Sequence, residues 1–160
     1  MSERLDMSEG NIGLIAWSPE VAKAAVPWMK AMYIDDLGKY KDQELVESIV
    51  YQFIDRMAQD NRSTVYGLTV DGDIHGVLGI LHQNPLDRTA DIFAVASPRV
   101  RGTGLGRSVG EWLVSTLVPD HFLTLRAFCR GHNPIVVNLL KKLGFEEQEF
   151  TGTYLEYTNG

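Results

Sequence analysis

Residues 95–113 read V-A-S-P-R-V-R-G-T-G-L-G-R-S-V-G-E-W-L, and no other stretch of the 160-residue chain constrains the fold as much. A short apolar run, Ile92 to Val95, leads into Pro98. Three glycines then alternate, Gly102, Gly104 and Gly106, and an amphipathic pattern follows with Leu105, Val109, Trp112, Leu113 and Leu117 on one face. Strand, glycine turn and helix in immediate succession aim several unpaired N–H groups at one spot, with the helix dipole behind them. Such a cradle suits an anion, and a diphosphate fits it well. Arg101 and Arg107 flank the loop and add positive charge. Taken alone, G-x-G-x-G also fits an ordinary turn.

The rest of the chain supplies the elements around this unit. Residues 1–10 are polar and aperiodic and read as a flexible tail, leaving 11–160 as a single domain. A first strand is expected over 11–17. Ser18-Pro19-Glu20 opens a helix that runs to about Tyr33, with Pro27 marking a kink or a second start. Leu45, Val46, Ile49, Val50, Phe53, Ile54 and Met57 fall on one face of a second helix. Runs at 64–70 and 74–82, joined through Asp71-Gly72-Asp73, predict a hairpin, and 90–96 a third adjacent strand. After the glycine-loop helix come a strand over 122–129, a helix over 134–143 ended by Gly144, and a closing hairpin from 146–150 and 153–157. This order predicts an α/β fold: a mixed, mostly antiparallel sheet of six to seven strands flanked by about four helices.

Composition narrows the function classes. Hydrophobic residues make up 44% of the chain, enough for a core, and no apolar run approaches a membrane span. The net charge of −6 disfavours a nucleic-acid partner. The first residues lack the apolar region of a signal peptide, and one cysteine, Cys129, excludes an internal disulfide; both fit a cytoplasmic protein. Without a Cys/His cluster at zinc spacing, no metal is expected. A homodimer is one assembly open to such a chain.

The arrangement Val95-x-x-Pro98-x-x-Arg101-Gly102-x-Gly104-x-Gly106 resembles the cofactor motif of the GNAT N-acetyltransferase superfamily. Downstream, Asn133-x-x-Val136-x-x-Leu139-Leu140-Lys141-Lys142-Leu143-Gly144-Phe145 is similar to that family's Asn-x-x-Ala-x-x-Leu-Tyr-x-x-x-Gly-Phe segment. The resemblance covers residues 91–145. It implies an enzyme that takes acetyl-CoA as co-substrate and acetylates a primary amine (a small molecule, a peptide N-terminus or a lysine) by direct attack in a ternary complex. It also implies that the strands at 90–96 and 122–129 splay apart to admit the pantetheine arm. Arg101, Gly102, Thr103, Gly104, Leu105, Gly106 and Arg107 would hold the diphosphate. The backbone at Ala94 and Val95 would bond the pantetheine amides, and Asn133 the cofactor arm. A donor aimed at the developing oxyanion contributes about 3 kcal/mol.

The tyrosine that often protonates the departing thiolate in this family falls at position 140, which is Leu140 here. Leu140 lies on the stripe Ile135, Val136, Leu139, Leu140, Leu143 and reads as packing. Cys129, His132, Asn138 and Tyr154 stand as other sources of the proton, beside water and the product ammonium. Asp91, at the start of a strand, and His82, at the end of one, are the candidates for general base. Tyr33, Asp35 and Asp36 lie between the first two helices, where the resemblance places the acceptor; two carboxylates there suit a cationic amine, and equally a solvated turn. The missing tyrosine leaves a second reading open, a CoA-binding module without turnover. A third is transfer of another acyl group.

Overall fold

A computed structural model describes residues 3–5, 12–32, 40–100, 104–117, 124–129, 134–148 and 153–158. Strand β1 (Glu3–Leu5) and strand β2 (Ile12–Ala16) are followed by helices α1 (Pro19–Met32) and α2 (Gln43–Gln59). Strands β3 (Thr64–Val70), β4 (Asp73–Asn84) and β5 (Thr89–Ala96) come next. A 3₁₀ turn at Pro98–Val100 precedes helix α3 (Leu105–Trp112), which continues into a π-helical turn at Leu113–Leu117. Strand β6 (Thr124–Cys129), helix α4 (Pro134–Lys142) and strands β7 (Glu146–Gln148) and β8 (Thr153–Thr158) complete the order.

Among the described residues eight strands join one sheet, in the order β1-β2-β3-β4-β5-β6-β8-β7. The five central strands β2 to β6 lie in chain order. The strand beyond the expected six to seven is β1, which falls within residues read as a loose tail. Its three residues lack the apolar alternation that announces a strand. It is placed by backbone pairing to the free edge of β2, with Arg4 opposite Gly13. Every neighbouring pair of strands is antiparallel except β5 and β6, which run parallel. The β3–β4 hairpin turns through Asp71 (φ 51°) and Gly72 (φ 89°), two successive left-handed residues that match the twist of the flanking strands.

Two apolar layers cover the two faces of the sheet. Helices α1 and α2 pack Val21, Ala25, Met29, Val46, Val50 and Ile54 against Val65, Val77, Leu81 and Val95. On the other face, Leu105, Val109 and Leu113 of α3 and its extension pack on Leu78, Ile80, Ala90 and Leu125, with Leu140 of α4 and Leu143 just after it against them. Leu140 is thus a packing residue. Ser18 Oγ accepts the Val21 N–H at 3.4 Å and caps α1, which is assigned helical straight through Pro27. Asp42 Oδ1 caps α2 by accepting from Glu44 and Leu45. The buried stripe of α2 is narrower than its periodicity suggests: Val46, Val50 and Ile54 are sealed, whereas Leu45 and Phe53 remain 45% and 44% exposed. Each sealed aliphatic side chain stabilises the layer by about 1.5–3 kcal/mol. Leu45 and Phe53 contribute less, which leaves Phe53 available at the surface.

Gly110 sets how closely the second layer closes. A Cβ at this position would run into the Leu143 side chain, so α3 and α4 meet only because no side chain stands between them. Gly144 (φ 101°) ends α4, and the Phe145 N–H returns to the Leu140 carbonyl at 2.9 Å.

Candidate active site

Strands β5 and β6 pair at four positions, Thr89↔Thr124, Ala90↔Leu125, Asp91↔Arg126 and Ile92↔Ala127. Beyond Ile92, β5 keeps β4 on one side, down to Gly76↔Ala96, and among the described residues has no strand partner on the other. β6 meanwhile turns to β8, pairing Phe128 with Tyr154. A wedge opens between two strands that the same sheet holds together at their N-terminal ends. Main-chain groups that face a wedge need another partner, and an amide-bearing arm laid along the strand satisfies them. Ala94 and Val95 lie on this open stretch, where the sequence places the pantetheine contacts. The Val95 side chain is buried on the α1/α2 face, so only its backbone serves the wedge.

At the C-terminal end of β5 the chain makes the 3₁₀ turn, and α3 begins at Gly104. Its φ of 92° requires the left-handed region, where a Cβ is disfavoured. Among the described residues no side chain caps the helix, which leaves its first-turn N–H groups available to a ligand. A Cβ built on Gly104 would meet none of the described residues within 4 Å. Gly106 differs: a Cβ there would touch Leu139 Cδ2 at 3.3 Å, which makes it a packing glycine between α3 and α4. Arg107 turns along the helix and pairs with Glu111, Nε to Oε1 at 3.0 Å, both ends exposed. A surface pair of this kind is worth no more than about 1 kcal/mol, so an anion at the helix start competes easily for the guanidinium. Arg101, Gly102, Thr103 and Asn133 lie outside the described residues, as do Tyr33, Asp35 and Asp36.

The other end of β5 holds titratable side chains. Asp91 follows the side-chain alternation of Phe93 and Val95 and faces the α1/α2 layer. Its side chain is 15% exposed, so its carboxylate needs partners, and two are present. His82 Nδ1 lies 2.8 Å from Asp91 Oδ2, and Arg126 Nε lies 2.8 Å from Oδ1. The second contact is an ion pair by distance only: the Nε–H points off the oxygen, and neither atom completes an aligned hydrogen bond. With Nδ1 donating to the carboxylate, the neutral His82 ring carries its lone pair on Nε2. The ring is 60% exposed. It borders a groove of about 330 Å³ whose apolar wall is Phe53, Met57 and Leu81, with Arg56, Asp60 and Ser63 supplying the polar part. Phe93 meets Phe53 edge to face at 6.4 Å, extending this wall toward the wedge.

The structure therefore brings His82 and Asp91 together, two residues the sequence offers only as separate candidates. Arg126 goes unread in the sequence; its register opposite Asp91 depends on a parallel pairing that no local signal announces. Tyr154 occupies β8 opposite Phe128, and its side chain lies outside the described residues. Among the described residues no three His, Cys, Asp or Glu side chains are grouped to hold a metal ion, and no helix is long and apolar enough to cross a membrane.

The model of the acetyltransferase (GNAT) family matches residues 25–145. No curated protein sequence matches the chain. Among solved structures, it is similar to the ribosomal L7/L12 alpha-N-protein acetyltransferase RimL in complex with coenzyme A, at 13% identity and a TM-score of 0.66, with 98% of each chain covered. It is similar to Mycobacterium smegmatis RimJ in complex with CoA-disulfide, at 18% identity and a TM-score of 0.71, covering 98% of this chain and 86% of that one. A spermidine N-acetyltransferase from Vibrio cholerae, in complex with CoA and spermine, aligns at 14% identity and a TM-score of 0.68 over 92% and 95% of the two chains. These likenesses carry the fold. The family model spans both the glycine-loop helix and the α4 segment, and with the wedge between β5 and β6 it identifies this chain as a member of the GNAT family of acetyltransferases.

Proposed function

We propose that the protein is an N-acetyltransferase that moves an acetyl group from acetyl-CoA to a primary amine, with His82 as general base and Asp91 as its orienting carboxylate. The observation that carries the reading is the 2.8 Å pairing of His82 Nδ1 with Asp91, one residue before the wedge opens at Ile92. From Asp91 to Ala96 the strand advances roughly 16 Å. An extended pantetheine arm covers that span, so a diphosphate at the Gly104 cradle brings the thioester toward Asp91. Gly102, Thr103, Leu105 and Arg101 complete the cradle in this reading, and Asn133 meets the arm.

His82 Nε2 takes a proton from the incoming amine as its nitrogen attacks the thioester carbonyl carbon. A main-chain N–H on the open stretch of β5, on the Asp91 side of Val95, faces the developing oxyanion. The C–S bond then breaks, the amide forms, and CoA leaves as a thiolate that gains its proton from solvent or from Tyr154, since Leu140 is packed and has none to give. Asp91 stabilises the imidazolium while it exists. The acceptors of the similar structures, a spermidine among them, support an amine as second substrate. Tyr33, Asp35 and Asp36 are proposed to draw it in.

The test is CoA release from acetyl-CoA over a panel containing spermidine, a free lysine, a short peptide with an unblocked N-terminus and a small arylalkylamine. Turnover with one of them, lost in His82→Gln and Asp91→Asn, is expected. Tight CoA binding with no release for any amine would instead make the protein a CoA-binding module.

A further inference from the structure

His82 has a backbone φ of 51°, in the left-handed region that non-glycine residues rarely enter. It does so where β4 and β5 slip register, between Leu81 and Asn84. A side chain held in such a conformation needs surroundings that over-determine it, and such positions cluster at working sites. The surroundings here are the turn at residues 60–63, which follows α2. The His82 N–H donates to Ser63 Oγ at 3.1 Å, and the Ser63 hydroxyl donates in turn to Asp60 Oδ2 at 2.9 Å. The next residue is tied to the same turn, with the Gln83 N–H donating to the Arg62 carbonyl at 2.7 Å. Gln83 Nε2 bridges Thr64 Oγ1 and the Ile80 carbonyl at 3.1 and 3.0 Å. Asp60 itself is anchored: its N–H donates to the Arg56 carbonyl at the end of α2, and its Oδ1 accepts the Arg62 N–H at 3.1 Å.

Ser63 has one hydroxyl proton, and Asp60 takes it, so the Ser63 oxygen is left as an acceptor for His82. We propose that Ser63, fixed by Asp60, is a positioning residue for the base: it holds the His82 backbone in its left-handed turn and so keeps the ring across the strand against Asp91. Without this hold the bulge relaxes to an ordinary strand residue and the ring swings off the carboxylate. The neutral imidazole then loses the partner that fixes its proton on Nδ1. The inference rests on the reading of His82 as general base. It places part of the catalytic apparatus at the end of α2, some twenty residues earlier in the chain.

The experiment combines Ser63→Ala, Ser63→Thr and His82→Gln, singly and as the Ser63→Ala/His82→Gln double variant. In CoA release with the best amine of the panel, Ser63→Ala should lower kcat by roughly ten- to hundredfold and leave KM for acetyl-CoA unchanged. Ser63→Thr, which keeps the hydroxyl, should restore most of the rate. In the His82→Gln background, Ser63→Ala should cost nothing further; a merely structural serine would cost the same in both backgrounds. A second readout needs no acceptor. The ¹⁵N resonances of the neutral His82 ring should report the Nδ1–H tautomer in the wild type and in Ser63→Thr, and lose that bias in Ser63→Ala. An unchanged tautomer in folded Ser63→Ala, or equal losses of rate in the two backgrounds, overturns the proposal. If His82→Gln turns over normally, the base assignment falls, while the ring resonances still decide whether Ser63 holds His82.

Discussion

At the C-terminal end of β5 the protein offers main chain: a helix start that no described side chain caps, a left-handed Gly104, and backbone that pairs with no described strand on the wedge side. At the N-terminal end it offers side chains: an imidazole, a carboxylate and a guanidinium drawn from three strands. The first region is assembled from consecutive residues and depends on what is missing, namely Cβ atoms and capping groups. The second is assembled from positions 82, 91 and 126 and depends on register. A site made of backbone tolerates variation in neighbouring side chains but not in the shape of the turn. A site made of side chains has the opposite sensitivity.

The largest expected effect falls on the side-chain end alone. His82→Gln and Asp91→Asn should each reduce turnover by about 10²- to 10⁴-fold, the usual worth of a positioned base. CoA affinity, measured by calorimetry, should stay as it was. A parallel loss of CoA affinity in either variant would merge the two regions and defeat the contrast.

Gly110→Val acts on the backbone end through its support. The new side chain must displace Leu143, and overpacking of this kind costs about 1–3 kcal/mol. Denaturant melts should show that loss, with weakened CoA binding as α3 shifts. Gly104→Ala is a finer probe. The methyl group meets open space, so its cost is the left-handed backbone alone, about 1–2 kcal/mol. CoA affinity should fall while kcat at saturating acetyl-CoA is retained; a drop in kcat with intact affinity would place chemistry at the wrong end of the strand.

The smallest effect is a pH dependence. The Arg62 backbone N–H, followed by the Ser63 hydroxyl, holds the Asp60 carboxyl below its ordinary value of 3.8. A carboxyl depressed on folding adds stability that is complete above the unfolded value. That stability is lost as pH falls from there through the folded one. Asp60→Asn should therefore narrow its stability gap to the wild type as the pH is taken below the ordinary value of 3.8. Because Asp60 is at the surface, the change should be slight. A gap that widens on acidification would contradict the hydrogen bonds assigned to this turn.

The sequence announced the two regions unequally. The glycine loop, the α4 segment and seven of the eight strands were readable because turn chemistry and periodicity are local properties. The β1 strand is not legible because Glu3-Arg4-Leu5 is too short to show alternation, and the edge of β2 recruits it through backbone pairing. Phe53 and Leu45 share one helical face with the buried row by spacing, yet Val46, Val50 and Ile54 are sealed while Ile49 and Met57 pack at its margin. His82 and Asp91 were each noticed as polar groups at strand ends. Their union rests on the pairing of Leu81 with Asp91 and on a left-handed His82 at the register slip just beyond it, and no pattern of residue types encodes that. Arg126 and the residues 60–63 were invisible for the same reason.

The short parallel pairing of β5 with β6 has a consequence for how the molecule comes apart. Among the described residues four pairs stitch the β6-β8-β7 portion to the β1–β5 portion along the sheet. Local opening at that seam should cost less than global unfolding, and amides of β6 should exchange with solvent sooner than those in the middle of β4. A molecule lying in the wedge touches both portions at once and acts as an additional rung. Saturation with CoA should therefore slow exchange in β6 and β8 before it changes anything in β3, so that the cofactor serves the protein as a fastener as well as a substrate.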